Sequence, residues 1–143
     1  MVVLNDDQCR RIGLDTNVII YYIEEHPVFL KKVEPLIDRI VEGKAIGITS
    51  YVTLLELLVK PIKEERFDLV EQYKTILMTQ LEMVPLDESV SLRAAELRAK
   101  YGIKTPDAIQ LASVISKNGD VFITNDDRLD AVEEINVLTL RDI

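Results

Sequence analysis

The chain has 143 residues, 48% of them hydrophobic, and a formal net charge of −8 at pH 7. This length and composition predict a single domain over residues 1–143 with its own core, and they exclude a disordered chain. Charged residues interrupt every apolar run before the roughly 18 residues of a membrane span, so no membrane segment is predicted. Cys9 is the only cysteine, and residues 1–7 lack the features of a signal peptide, which predicts a cytoplasmic protein without disulfides.

Strand and helix patterns alternate through the first half of the chain. The predicted segments are a strand over residues 11–18, a short helix ending at Pro27, a helix over 27–42, a strand over 45–49 and a helix over 51–60. Pro35 predicts a kink or a break in the second helix. Ser50 is a suitable N-cap for the third helix, and Pro61 is expected to end it.

The second half repeats this alternation. The predicted segments are a helix over residues 67–80, a strand over 83–86, a helix from Asp87 to residue 100, a helix over 107–118, and strands over 121–124 and 135–140. Pro85 lacks a backbone N–H, so its strand is predicted to lie at an edge of the sheet. Asp87 is a suitable N-cap and Gly102 a helix terminator, while Thr105 is expected to cap the helix that Pro106 opens. The alternation predicts an α/β fold with a mostly parallel sheet, covered on both faces.

Four acidic residues stand at the ends or edges of apolar segments, where an unpaired buried carboxylate costs several kcal/mol. They are Asp15 after the first strand, Glu56 within an apolar run, Asp107 at the start of an apolar helix, and Asp126 after strand 121–124. Ligands bind open parallel sheets beyond the carboxyl ends of the strands, so the four side chains are predicted to converge there. Asn17 and Thr124 are predicted to orient them by hydrogen bonds.

Each of these residues also has a structural explanation that needs no ligand. Asp107 could complement a helix dipole, and Asp15 and Asp126 could form turns at strand ends. Glu56 is the hardest to explain in this way, because its sequence neighbours are apolar on both sides. Basic residues near Glu56 and Asp107 fit either a positive rim around an acidic centre or ordinary solvated helix faces. They are Lys60, Lys63, Arg66, Arg93, Arg98, Lys100 and Lys104.

A site built from carboxylate oxygens favours Mg²⁺ or Mn²⁺ over zinc. The single histidine, His26, excludes a two-histidine ribonuclease mechanism within one chain, and no nucleophile triad or glycine-rich phosphate loop occurs. Metal-assisted cleavage of a phosphodiester remains. Because the chain is acidic, a binding module without catalysis stays open as the alternative. A phosphotransferase with Asp15 as nucleophile is least favoured, since Asn17 replaces the second acid of such sites.

Four short motifs resemble those of the PIN-domain nucleases, and within that family the VapC-like toxin ribonucleases. They are the apolar strand leading to Asp15-Thr16-Asn17, Glu56 after Thr49-Ser50, Thr105-Pro106-Asp107-Ala108 opening an alanine-rich helix, and Thr124-Asn125-Asp126. Each motif is weak alone, but their order and spacing are fairly specific and cover nearly the full chain.

The resemblance implies a three-layer α/β/α sandwich, RNA cleavage that depends on Mg²⁺ or Mn²⁺, and a homodimer. For the toxin branch it also implies a small antitoxin protein that blocks the site. It assigns the metal and the catalysis to Asp15, Glu56, Asp107 and Asp126, with Asp127 as a neighbouring candidate for the last position. The N-terminal extension is longer than many small toxins carry, so a role in RNA processing also stays open.

Overall fold

The structure is a computed structural model that describes residues 9–143. The segment predicted to lack a signal peptide, residues 1–7, lies outside the described residues. Strands and helices alternate as expected. The strands are β1 (Arg11–Leu14), β2 (Ile46–Ser50), β3 (Leu81–Val84), β4 (Val121–Thr124) and β5 (Val137–Thr139); the helices are α1 (Thr16–Ile23), α2 (Leu30–Val41), α3 (Tyr51–Lys63), α4 (Phe67–Gln80), α5 (Glu88–Tyr101) and α6 (Thr105–Ser116). Short 3-10 helices follow at Asp127–Ala131 and Leu140–Asp142.

The five strands of residues 9–143 form one sheet in the order β3-β2-β1-β4-β5, and each neighbouring pair is parallel. The prediction of a mostly parallel sheet is therefore confirmed, and β3 lies at the predicted edge, although it covers Leu81–Val84 and ends before Pro85. The chain builds outward from β1 through β2 to β3, then returns to place β4 on the other side of β1. The strand order thus reverses between β1 and β4, where parallel sheets open a crevice for ligands.

Helices cover both faces of the sheet, which confirms the three-layer α/β/α sandwich. Ile12, Leu14 and Ile123 point to one face and pack with residues of α1, α2, α3 and α4. Ile48 and Phe122 point to the other face and pack with α5 and α6. Successive strand residues alternate between the faces, so a strand buried on both sides is apolar throughout.

Two cap predictions are confirmed by direct contacts. The backbone N–H of Val52 donates to Ser50 Oγ over 3.1 Å at the start of α3. The backbone N–H of Val90 donates to Asp87 Oδ1 over 2.8 Å at the start of α5. Gly102 ends α5 with a φ of 67°, the left-handed conformation that glycine adopts without a steric penalty.

Other predicted boundaries are wrong. β1 stops at Leu14, before the expected residue 18, because the Asp15 carboxylate accepts the backbone N–H of Thr16 and starts α1. α3 continues through Pro61 to Lys63, with the proline ring buried in its last turn. α2 continues through Pro35 as one helix, which excludes the break among the two outcomes predicted there.

The start of α6 also differs from the prediction. Lys104 occupies the N-cap position and makes no side-chain cap hydrogen bond, so Thr105 is the first helical residue and not the cap. The last predicted strand is shorter than expected, because a 3-10 helix takes over at Leu140. No helix within residues 9–143 has the length and apolar composition needed to cross a bilayer.

Candidate active site

Asp15 lies at the end of β1, beside the reversal in strand order. Its backbone N–H donates to the carbonyl of Ile123 on β4 over 3.0 Å, which extends the β1–β4 pairing to the mouth of the crevice. The hydroxyl of Thr124 donates to Asp15 Oδ2 over 2.6 Å, and the backbone N–H of Thr16 donates to Oδ1 over 2.8 Å. The Asp15 residue is only 8% exposed. Both carboxylate oxygens are therefore held in fixed positions in a poorly hydrated site.

This environment raises the pKa of Asp15 from 3.8 to about 6. Loss of hydration is the largest cause, because burial disfavours the charged carboxylate. The hydrogen bonds from Thr124 and Thr16 oppose the rise, and the negative charges of Asp107 and Glu56 add to it. A buried acid that its neighbours repel is suited to sharing a cation with them.

Thr16, the first residue of α1, contacts both Asp15 and Glu56. The Thr16 hydroxyl donates to Glu56 Oε1 over 2.8 Å, across two different helices. Glu56 itself is exposed, although its apolar neighbours in the sequence do not indicate a solvent face. The reason is that Leu55 and Val59, which surround it on α3, are themselves 66% and 56% exposed.

Asp107 occupies the first turn of α6 and is half-buried. Burial raises the pKa of its carboxyl group, and the charges of Asp126 and Glu56 raise it further. Arg128 and Lys104 oppose this effect with their positive charges. Asp107 therefore lies within electrostatic reach of the other three predicted site residues, since it also acts on Asp15.

Asp126 follows β4 and is bound by Arg128 on both carboxylate oxygens. Arg128 donates to Oδ1 from its backbone N–H over 3.0 Å and from Nε over 2.9 Å, and to Oδ2 from Nη2 over 2.7 Å. These bonds hold the pKa of Asp126 below its usual value. Asp127, the neighbouring candidate, is exposed and instead pairs with Arg141 over 2.9 Å.

Within residues 9–143, no three His, Cys, Asp or Glu side chains stand close enough together to hold one metal ion. The carboxylates are nevertheless coupled, since Asp15 and Asp107 both respond to charges within the group. Oxygen ligands of this kind suit a hard divalent cation, and the uncompensated charge around Asp15 provides a reason to bind one. The chemistry of these donors suits such an ion, but the carboxylates of residues 9–143 would have to draw closer together to share it, and Asp126 is engaged by Arg128.

Of the two residues predicted to orient the carboxylates, Thr124 contacts two parts of the site. It donates to Asp15 and also accepts the backbone N–H of Asp126 over 3.0 Å. Asn17 is exposed on α1, and its neighbour Thr16 makes the contact with Glu56. The sequence reasoning missed Thr16, although a polar residue between a buried strand end and an apolar helix is a usable signal.

A second missed feature is a buried polar cluster behind Thr16. Its members are Thr16, Thr49, Ser50, Thr53 and Gln110, all at most 5% exposed. They come from α1, β2, α3 and α6. A glutamine on the apolar face of α6, three residues after Asp107, is the signal that would have pointed to it.

Residues 12–135 match the sequence profile of the PIN domain family. No curated protein sequence matches the chain. Similar solved structures include VapBC2 from Rickettsia felis bound to a DNA fragment of its promoter, with 18% identity and a TM-score of 0.72 over 90% of this chain and 97% of that one. DNA-bound VapBC from Salmonella typhimurium has 19% identity and a TM-score of 0.68 over 92% and 98% of the two chains.

A third similar structure is VapBC-1 from nontypeable Haemophilus influenzae, with 20% identity and a TM-score of 0.67 over 91% of this chain and 98% of that one. At these identities the structural likeness concerns the fold, and the profile match carries the family assignment. That match spans most of the chain and contains all four predicted site carboxylates. The chain belongs to the PIN domain family, a family of nucleases.

Proposed function

We propose that this protein is a ribonuclease dependent on Mg²⁺ or Mn²⁺, in which Asp15, Glu56, Asp107 and Asp126 form the catalytic metal site. Residues 1–143 then form a single PIN-like domain, which the match over residues 12–135 supports. The observation that carries the proposal is the environment of the Asp15 side chain. It is a buried carboxylate with a pKa of about 6, beside two further acids and at the crevice where the strand order reverses.

A divalent cation held by these four carboxylates would supply Lewis acidity for the hydrolysis of a phosphodiester. The chain's own residues prepare the site for it. Thr124 and the backbone of Thr16 fix the Asp15 oxygens, and the Thr16 hydroxyl fixes Glu56. Burial and the charges of Asp126 and Glu56 raise the pKa of Asp107, so a cation beside it would stabilise its charged carboxylate.

The direct test is cleavage of a labelled single-stranded RNA by the purified protein. We expect cleavage with Mg²⁺ or Mn²⁺, none with EDTA, and recovery when excess metal is added back. A DNA strand of the same sequence serves as the substrate control. Cleavage that persists in EDTA would show a contaminating nuclease or a different mechanism, and an intact RNA after Mn²⁺ binding would contradict the ribonuclease assignment.

The engagement of Asp126 by Arg128 leads to a prediction about metal affinity. Replacing Arg128 with alanine frees Oδ2 of Asp126, leaves Oδ1 with only the backbone N–H of residue 128, and removes a competing positive charge. We expect the Arg128→Ala variant to bind Mn²⁺ about two- to fivefold more tightly, the range suited to an exposed ion pair. Titration calorimetry at fixed ionic strength measures this without any nuclease assay.

Arg141→Ala is the matched control for this measurement. It makes the same change in net charge, but its partner is Asp127 and not Asp126. Equal tightening in both variants would mean that net charge alone is responsible. Weaker binding in Arg128→Ala would show that Arg128 supports the cation site.

We also propose that the protein is the toxin of a toxin–antitoxin pair, acts in the cytoplasm and forms a homodimer. The similar structures from Rickettsia, Salmonella and Haemophilus are VapBC structures, and that from Klebsiella pneumoniae is a toxin–antitoxin complex. Leu55, Val59 and Ile62 form an exposed apolar stripe on α3, at the spacing that a helical partner recognises. A neighbouring reading frame for a small DNA-binding protein would support the pairing.

The second candidate is a PIN-like binding module with weak or no catalysis. Two observations favour it. Arg128 occupies the Asp126 oxygens that a cation would need, and the net charge of −8 opposes the binding of an RNA substrate to the site. Metal titration separates the two functions. A module of this kind would bind RNA or a protein partner without requiring Mn²⁺.

A further inference from the structure

Gln110 is a fully buried amide on α6, 1% exposed, one turn after Asp107. Its Nε2 lies 2.9 Å from Thr16 Oγ1 and 2.6 Å from Thr53 Oγ1. Its Oε1 accepts from Ser50 Oγ over 3.1 Å and lies 3.4 Å from Thr49 Oγ1. One side chain therefore joins α6 to α1, β2 and α3 behind the predicted metal site.

The donors and acceptors of this cluster set the direction of most of its hydrogen bonds, while the hydroxyls of Thr16 and Thr53, 3.0 Å apart, can pair in either direction. Both N–H groups of Gln110 are used, one on Thr16 and one on Thr53. Thr16 accepts one of them, and its single hydroxyl proton is then free to be donated to Glu56. Thr53 can donate to Thr49, 2.7 Å away, and Thr49 donates to the Leu14 carbonyl over 3.1 Å.

The amide of Gln110 has only one orientation that satisfies this arrangement. If the amide were flipped, its oxygen would face Thr16 and Thr53 and would compete with Glu56 for the Thr16 proton. The Ser50 hydroxyl would then face an N–H group and lose its acceptor. With the amide in the first orientation, Ser50 keeps its acceptor and Thr16 keeps its proton for Glu56.

We propose that Gln110 is a positioning residue that sets the Thr16 hydroxyl as a donor to Glu56. It thereby holds Glu56 toward Asp15, and this role rests on the proposed function of that carboxylate group. Gln110 touches none of the four acids in the contacts of residues 9–143 and acts on them through Thr16. Glu56 is exposed and lies on α3, whereas Asp15 follows β1. The hydrogen bond from the Thr16 hydroxyl therefore keeps the Glu56 carboxylate near the site.

The first test uses metal-free protein and needs no activity. The carboxyl ¹³C resonance of Glu56 reports the Thr16 hydrogen bond. We expect this resonance to shift in Gln110→Met, which keeps the side-chain length but removes both donors. Ser113→Ala is the matched control, since Ser113 is also buried on α6 but donates to the Ile109 carbonyl of its own helix. An unchanged Glu56 resonance in a folded Gln110→Met protein would overturn the proposal.

Gln110→Glu serves if Gln110→Met does not fold. It keeps the shape of the side chain and the acceptor for Ser50, but it presents an oxygen to Thr16 where the amide nitrogen stood. The Glu56 resonance is expected to shift in this variant too.

The second test is a double-mutant cycle between Gln110→Met and Thr16→Val, measured as Mn²⁺ affinity and as kcat for RNA cleavage. We expect each single variant to lose about tenfold or more, the range typical of residues that orient metal ligands. The double variant should be no worse than Thr16→Val alone, because Gln110 acts through the Thr16 hydroxyl. Losses that multiply would show independent effects of the two residues and contradict the proposal.

These two tests separate the inference from the proposed function. A shifted Glu56 resonance in a protein that cleaves no RNA would retain the positioning role of Gln110 and reject the ribonuclease. RNA cleavage with an unshifted Glu56 resonance would support the ribonuclease and reject the positioning role of Gln110.

Discussion

Asp15→Asn is expected to abolish RNA cleavage while making the metal-free fold more stable. The rate of cleavage should fall by more than about 100-fold. Removing a residue that only hydrogen-bonds to a metal ligand already lowers metal affinity or activity about 10- to 100-fold, and Asp15 is proposed as a ligand itself. The unfolding free energy should rise by about 1–3 kcal/mol at neutral pH, because the variant no longer buries a charge that its surroundings disfavour. The gain stays within that range because the new amide nitrogen faces Thr124, whose hydroxyl must then find another acceptor.

The stability effect has a defined dependence on pH. The folded pKa of Asp15, about 6, lies above its ordinary value of 3.8, so the folded state binds the proton more tightly between these values. The free energy of unfolding contributed by Asp15 therefore falls as the pH rises from about 4 to about 6, and the full penalty persists above that range. Asp15→Asn lacks this slope. The difference between the two proteins in EDTA, measured by urea unfolding at several pH values, isolates it from other titrating groups.

Asp38→Asn is the matched control, an identical substitution at an exposed position on α2. It should leave cleavage unchanged and alter stability by no more than about 0.5 kcal/mol. Unchanged cleavage by purified Asp15→Asn protein would exclude the proposed site. A stability difference that does not vary between pH 4 and pH 6 would contradict the raised pKa.

Gly13→Ala is expected to destabilise the fold by about 1–3 kcal/mol, the usual cost of an overpacked core. Gly13 lies in the middle of β1 and faces α6. A Cβ atom added there would stand 2.5 Å from Val114 Cγ2, 2.6 Å from Val114 Cγ1 and 3.1 Å from Phe122 Cδ1. Val114 is fully buried and β-branched, so it has little rotamer freedom to move aside.

Thermal or urea unfolding of a four-protein set tests this explanation. Val114→Ala alone should also be destabilising, because it leaves a cavity. The double variant should be more stable than the sum of the two single losses predicts, because the new methyl group fills part of the space that valine vacates. If Gly13→Ala is as stable as the wild type, or if the two losses simply add in the double variant, then the close approach of β1 and α6 does not exclude a side chain at position 13.

Much of the fold could be predicted from local patterns alone. The helix over residues 67–80 has the predicted boundaries, because one apolar face at helical spacing identifies it without reference to the rest of the chain. The strand over residues 121–124 also has the predicted boundaries, because a short apolar run buried on both faces does not alternate. Helix ends were less accurate, since burial of the Pro61 ring lets α3 continue where the isolated sequence favours a stop.

The candidate site was predicted less completely, and for a clear reason. Asp15 and Asp126 could be picked out because each follows a strand, and parallel strands end at a common edge. The exposure of Glu56 could not be predicted, because nothing in the local sequence separates an apolar helix face in the core from one in solvent. The pairing of Asp126 with Arg128 was also missed, although only two residues separate them, because it depends on the turn that the chain takes after β4.

By itself the sequence determined the alternating elements, the layered fold and the four acids at element ends, because these follow from periodicity and from the chemistry of neighbouring residues. Tertiary structure alone decided the strand order, the close approach of Gly13 to Val114 and the hydrogen bonds that lead from Gln110 through Thr16 to Glu56. Gln110 and Thr16 are 94 positions apart, and Thr16 and Glu56 are 40 apart. Contacts over such separations depend on how the helices pack across the sheet, and no local pattern encodes that packing.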